Sequence, residues 1–126
     1  MYLLGLTSLA VREQNYPPHG LYINTACFHS EAFCFIVFEA NHQSSGTFTV
    51  GAMHNGTIMY DGATIPYKYD ECRPDVISVD QCSSSLDLFL ETYHLDRREW
   101  EELKYNSFYG LVTIMINGTE IIHVHN

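Results

Sequence analysis

The sequence predicts a single α+β domain over residues 1–126, with an antiparallel sheet of about five to seven strands (three hairpins) and a short helix pair packed on one face. Two Asn-Gly dipeptides lie between extended-type runs, and Asn-Gly supplies the positive φ angles of a two-residue hairpin turn. A third pair of runs is rich in β-branched and aromatic residues. Apolar residues recur at helical spacing only after Ser84, which places the helices late in the chain.

The composition is that of a packed domain. Hydrophobic residues make up 46% of the chain and charged residues 17%, below the usual quarter. A chain of this length hides about two thirds of its extended surface on folding. We therefore expect it to fold without a metal or a disulfide, and we predict no cofactor.

The first Asn-Gly hairpin is predicted to join residues 47–54 to residues 57–60 through Asn55-Gly56. A two-residue turn there pairs Met53 with Ile58. The same register gives the hairpin one face that we expect to point inward, with Phe48, Val50, Ala52 and Met59.

The second Asn-Gly hairpin is predicted to join residues 111–116 to residues 119–125 through Asn117-Gly118. Both of its faces are apolar, so we expect central strands with a cover on each side. The helical segment is the expected cover for one face.

The third hairpin is predicted from residues 21–28 and 32–40. A turn at Ser30-Glu31 would place Cys27 opposite Cys34, so a cross-strand disulfide is geometrically feasible. Reduced thiols are the default expectation, because the chain shows no secretory signal.

Residues 61–82 are broken by glycine and proline, and we expect a long loop with at most one short strand, at residues 76–79. The first helix is predicted to begin near Ser84. A second is predicted from Asp96, which can cap it with Glu99 reaching back, because Trp100 and Leu103 recur at helical spacing.

The formal net charge is −9, and residues 61–102 hold eleven of the fifteen carboxylates. Six basic residues cannot neutralise a row of phosphates, so we expect neither nucleic acid nor a membrane as a direct partner. The N-terminal apolar run meets Arg12 too early to span a bilayer. The expected location is the cytoplasm.

The pair His123 and His125 is a weak candidate for a metal site, because alternate residues of a strand point the same way. No further ligand can be chosen from the sequence. There is no nucleophile elbow, phosphate-binding loop or dinucleotide motif. A small hydrolase or nuclease with a pocket of histidines and carboxylates stays open as an alternative, because such sites often leave no linear motif.

The acidic segment is the predicted binding surface. Carboxylates on a loop and a helix face can occupy a basic groove of another protein, and a complementary field speeds that association. We expect a small intracellular inhibitor or immunity-type protein whose partner is a protein with a basic surface. The predicted partner-binding residues are Asp70, Glu71, Asp75, Asp80, Asp87, Glu91, Glu99 and Glu102. A weaker alternative is a structural subunit that forms a homo-oligomer through exposed strand edges.

Overall fold

The computed structural model describes residues 16–24, 33–39, 44–54, 57–60 and 64–126. The strands are β1 Gly20–Ile23, β2 Phe35–Phe38, β3 Ser45–His54, β4 Thr57–Tyr60, β5 Ile65–Lys68, β6 Val76–Val79, β7 Glu102–Asn106, β8 Leu111–Ile116 and β9 Thr119–His125. One α-helix, α1 Ser84–Tyr93, and one 3₁₀ turn, Arg97–Trp100, lie between β6 and β7.

The strands form a closed antiparallel barrel. Eight of them follow one another round a ring in the order β2, β1, β9, β8, β7, β6, β5, β3, and β3 pairs with β2 to close it. Strand β4 pairs with the second half of β3, next to the segment that pairs with β5. The predicted α+β class is therefore wrong, because the sheet closes on itself and contains most of the ordered structure.

The predicted helix pair is also wrong. Ser83 caps α1 with its hydroxyl, and Asp96 caps only the 3₁₀ turn. From residue 102 onward, burial alternates: Leu103 and Tyr105 are buried and Lys104 is exposed, which is the period of a strand. Trp100 and Leu103 are at a spacing that fits a helix, but it fits equally well a 3₁₀ turn followed by a strand. The spacing alone therefore could not distinguish the two structures.

Within residues 61–82, strand β6 is confirmed at the predicted residues, whereas β5 was missed. Pro66 argued against a strand because proline cannot donate to a ladder. Pro66 nevertheless lies in β5, where its carbonyl oxygen accepts a hydrogen bond from the Asp80 amide at 3.0 Å.

The strand pairings of both Asn-Gly hairpins are confirmed, and the first turn itself, Asn55-Gly56, lies outside the described residues. Met53 pairs with Ile58, and β8 pairs with β9 along its whole length. Asn117 and Gly118 have φ angles of 50° and 84°, the conformation for which that dipeptide is suited.

The third hairpin is confirmed as a pairing of β1 with β2, but its register differs from the prediction. The structure pairs Ile23 with Phe35, and the Asn24 amide donates to the Cys34 carbonyl at 2.7 Å. The predicted turn at Ser30-Glu31 would instead have placed Ile23 opposite Phe38. Cys27 and that turn lie outside the described residues.

The inward side chains form one aromatic-rich core. Phe48 and Val50 are buried as predicted, and Tyr22, Phe38 and Tyr67 pack beside them. At one end of the barrel α1 covers this core: its Phe89 ring lies 5.0 Å from the Trp100 ring, centroid to centroid. At the other end, Pro17 and Pro18 are buried ahead of β1.

Among the described residues, no helix has both the length and the apolar character needed to cross a membrane.

Candidate functional site

Three segments meet at the barrel end opposite α1, and we call this surface the mouth. It consists of residues 16–19, residues 69–75 between β5 and β6, and residues 107–110 between β7 and β8. Hydrogen bonds tie the three to the ends of the strands: Tyr105 N–H donates to the Asp75 carbonyl at 2.8 Å and His125 N–H donates to the Gly110 carbonyl at 2.7 Å. The third bond runs from the Tyr105 hydroxyl to the Tyr16 carbonyl at 2.7 Å.

Residues 16–19 are held in the mouth by the hydroxyl groups of two tyrosines. The Tyr22 hydroxyl is hydrogen-bonded to the backbone of His19 and to the Tyr105 hydroxyl. The Tyr105 hydroxyl in turn donates to the Tyr16 carbonyl at 2.7 Å. Two inward tyrosines therefore fix both ends of a four-residue strap.

Two more tyrosines lie below the strap with hydroxyl groups that lack partners in the described part of the chain. Tyr67 and Tyr69 are almost completely buried, and neither hydroxyl makes a hydrogen bond there. Burial raises the pKa of Tyr67 to about 12. Burial also raises the pKa of Tyr69, and the nearby carboxylates of Glu71 and Asp75 raise it further.

The rim of the mouth carries three exposed carboxylates, Asp70, Glu71 and Asp75, which we call the acidic loop. Asp70 accepts a hydrogen bond from the Cys72 amide at 2.9 Å, which fixes the turn. The only guanidinium in this loop, that of Arg73, forms an ion pair with Glu102 on β7 at 2.7 Å.

Beside the acidic loop, the turn between β7 and β8 displays two aromatic rings. Phe108 is 57% exposed and Tyr109 is 68% exposed, and their centroids lie 4.7 Å apart in an edge-on arrangement. Asn106 fixes the turn by accepting from the Tyr109 amide at 3.0 Å. The prediction missed this pair because the region was assigned to a helix end. Two adjacent aromatic residues just before Gly110, in a turn between strands, were the available signal.

The other predicted partner-binding residues lie along β7 or toward the α1 end. Three of these carboxylates are engaged within the chain. Asp87 forms an ion pair with Arg97, and Glu102 pairs with Arg73. Glu99 accepts the two backbone amides of the second Asn-Gly turn, at 2.8 and 2.7 Å.

Asp80 and Glu91 are exposed and belong to the α1 end as well. Strand β6 separates Asp80 from Asp75 by five residues, or about 16 Å at strand spacing. The eight predicted carboxylates are therefore divided between the two ends of the barrel, and only the acidic loop lies at the mouth.

The two histidines of the weak metal candidate contact different groups. His123 is buried inside the barrel, where its Nε2 lies 3.2 Å from the Phe33 carbonyl oxygen. His125 lies at the mouth with its Nε2 at 3.0 Å from the His19 carbonyl oxygen. No group of three or more metal-ligating side chains occurs among the residues that the structure covers.

The cysteines are of two kinds. Cys34 is disulfide-bonded, whereas Cys72 and Cys82 are exposed free thiols. The expectation of reduced thiols is therefore wrong for Cys34.

A shallow groove of about 570 Å³ runs along the outside of β3, β5 and β6, next to the acidic loop. Ser45, Lys68 and Ser78 are directly opposite one another on these strands. Among the described lysines and arginines, only Lys68 makes no ion pair. The groove therefore contains one ammonium group with hydroxyl groups beside it.

No family model, curated protein or solved structure matches this chain. The functional argument consequently depends on the geometry and charge of the mouth.

Proposed function

We propose that the protein is a binding module, of inhibitor or immunity type, that docks the mouth on a basic site of another protein. The observation that carries this proposal is the pairing of Arg73 with Glu102, since Asp70, Glu71 and Asp75 then form no ion pair with any of the described residues. Phe108 and Tyr109, exposed beside them, are residues that interfaces favour.

Charge complementarity supports this function. Three carboxylates on one loop of a chain with net charge −9 attract a basic surface at long range and speed its association. At contact, aromatic faces can stack on arginine or receive a lysine ammonium group. The mouth thus offers both the charge and the anchors for a partner rich in arginine and lysine.

The mouth is also preorganised. The acidic loop and the aromatic turn are each bonded to strand backbone through Tyr105 and His125. A surface that is already ordered loses less conformational entropy on binding than a mobile loop would. Rigid presentation therefore favours specific docking.

The test is binding to a fluorescent nona-arginine peptide, compared between two charge-matched variants. The first carries Asp70→Asn, Glu71→Gln and Asp75→Asn at the mouth, and the control carries Asp80→Asn, Glu91→Gln and Glu101→Gln. At about 0.5 kcal/mol for each exposed charge, the mouth variant should lose about tenfold in affinity. The control, with the same net charge, should lose much less.

Equal losses in both variants would mean that only the overall field attracts the peptide, and would end the proposal for the mouth. The double variant Phe108→Ala with Tyr109→Ala is a second test, measured by binding to the same peptide. If the anchors matter, this variant should bind less tightly at high salt as well as at low salt, because its lost contacts are not screened.

The disulfide at Cys34 is evidence about the cellular compartment of the protein. Disulfides persist in oxidising compartments and are rare in the cytosol. We therefore favour an oxidising compartment over the cytoplasm expected from the sequence. Thiol titration of denatured protein from its native source should count two free thiols, and a count of four would restore the cytoplasmic expectation.

A further inference from the structure

The two exposed rings of the mouth, Phe108 and Tyr109, form a corner, and we call them the aromatic pair. Their planes are at 83° to each other, with the centroids 4.7 Å apart. More than half of each side chain is exposed. In the described part of the chain neither ring contacts a third aromatic ring. The faces on the open side of this corner are therefore available to a group of a partner.

Two carboxylates of the acidic loop lie near one point of the rim, although they are four positions apart. Burial is the main cause of the raised pKa of Tyr69, and the carboxylates of Glu71 and Asp75 both add to it. The Tyr69 hydroxyl makes no hydrogen bond with the described residues, so it does not engage either carboxylate. Glu71 and Asp75 therefore retain acceptor oxygens for a partner.

The aromatic pair and the acidic loop are attached to the same end of β7. The Tyr105 amide donates to the Asp75 carbonyl at 2.8 Å, and the Asn106 side chain accepts from the Tyr109 amide at 3.0 Å. Because Tyr105 and Asn106 are consecutive, one strand end holds the carboxylates and the rings side by side. A planar cation at this place can contact an aromatic face and a carboxylate together.

Building on the docking function proposed above, we infer that the mouth selects an arginine side chain of its partner over a lysine. A guanidinium group is planar, so it stacks flat on an aromatic ring and directs its N–H groups outward in the same plane. Two of those groups can donate to one carboxylate. An ammonium group is compact and strongly hydrated, and has no plane to stack. The aromatic pair beside Glu71 and Asp75 therefore fits a guanidinium group better.

The nearest cations of the chain itself do not neutralise the acidic loop. Arg73 forms an ion pair with Glu102. Lys68 lines a groove of about 580 Å³ with Asp70 and Glu71 on the outside of the barrel, but it forms no ion pair with any described residue. On a chain of net charge −9, a guanidinium group supplied from outside is attracted to these carboxylates.

Binding of the full chain to two fluorescent peptides, nona-arginine and nona-lysine, tests the inference. Their side chains carry equal charge, so long-range attraction is nearly the same for both. The wild type should bind nona-arginine about fivefold to tenfold more tightly than nona-lysine at physiological salt.

Phe108→Leu with Tyr109→Leu removes both rings but retains apolar side chains. This variant should reduce the preference for arginine to less than about twofold, by weakening the binding of nona-arginine. Tyr93→Leu, which removes an exposed ring at the α1 end, is the matched control and should keep the wild-type preference. The melting temperature shows whether each variant is folded, and Tyr109→Leu alone replaces the double variant if that one unfolds.

Equal affinity of the wild type for the two peptides overturns the inference. A preference that Phe108→Leu with Tyr109→Leu leaves unchanged also overturns it, because the preference would then come from the peptide alone. The docking function is judged separately. It fails if Asp70→Asn, Glu71→Gln and Asp75→Asn together weaken neither peptide more than the charge-matched control does, whereas the inference about arginine fails while that variant still weakens both.

Discussion

The Tyr105 hydroxyl donates a hydrogen bond to the Tyr16 carbonyl oxygen at 2.7 Å, joining β7 to the strap that lies ahead of β1. The two residues are 89 positions apart in the chain. Their contact belongs to the final fold and cannot form from local structure alone.

Tyr105→Phe and Tyr67→Phe should have opposite consequences. The first removes a hydroxyl that bonds to Tyr16 and Tyr22, and should lower the free energy of unfolding by about 1–2 kcal/mol. The second removes a buried hydroxyl that has no partner among the described residues, and should leave stability unchanged or raise it by about 1 kcal/mol. Urea denaturation of both variants measures the difference. A larger loss in Tyr67→Phe would show that its hydroxyl has a partner in solution.

Glu99→Gln should weaken the second Asn-Gly turn. The carboxylate accepts both turn amides with its two oxygens, and the variant retains only one acceptor. We expect a loss of about 1–2 kcal/mol in the free energy of unfolding. Glu101→Gln, at an exposed neighbouring position, is the matched control. Amide exchange at Gly118 should quicken only in the first variant.

His123 should make the protein less stable in mild acid. Burial lowers its pKa below the ordinary value of 6.5, so the folded state favours the neutral ring. Below about pH 6.5 the unfolded chain binds a proton that the folded chain does not, and the free energy of unfolding falls by up to about 1.4 kcal/mol per pH unit. Above that pH this contribution is fully present.

Unfolding curves between pH 5 and 7 measure this effect. His123→Gln should flatten the slope, and His94→Asn, at an exposed helix end with a positive φ, should not. An unchanged slope in His123→Gln would assign the pH dependence to other groups.

Gly51→Ala should destabilise the barrel. A Cβ atom at this position would overlap the Phe35 ring, which lies across the glycine on the paired strand. Overpacking of this kind typically costs about 1–3 kcal/mol. Phe35→Leu in the same chain should recover part of the loss, and the absence of recovery in thermal melts would contradict the overlap.

Local chemistry made much of the sheet predictable. Asn117-Gly118 determines its turn by backbone preference, and Phe48 and Val50 point inward because side chains alternate along a strand. Closure was not predictable in this way. It depends on β9 meeting β1 through Val124 and Ile23, which are about a hundred positions apart, and neither residue type specifies its neighbour.

The outer apolar residues also misled the fold prediction. Apolar residues on both faces of β8 and β9 indicate a sheet covered on both sides, whereas Ile122 and Val124 are exposed. Residues 69–75 are irregular, as the sequence predicts, but the ion pair of Arg73 with Glu102 could not be seen in the sequence. That pair joins a loop to a strand that had been assigned to a helix.

Barrel closure has a consequence for molecular recognition. A polypeptide that joins an open sheet reads it through main-chain amides and carbonyls, which are the same in every protein. In the ring of eight strands, those groups are already hydrogen-bonded to neighbouring strands. Apart from the outer edge of β4, which pairs only with β3, the described strands must be recognised through their side chains, and a few substitutions can therefore redirect binding without altering the scaffold.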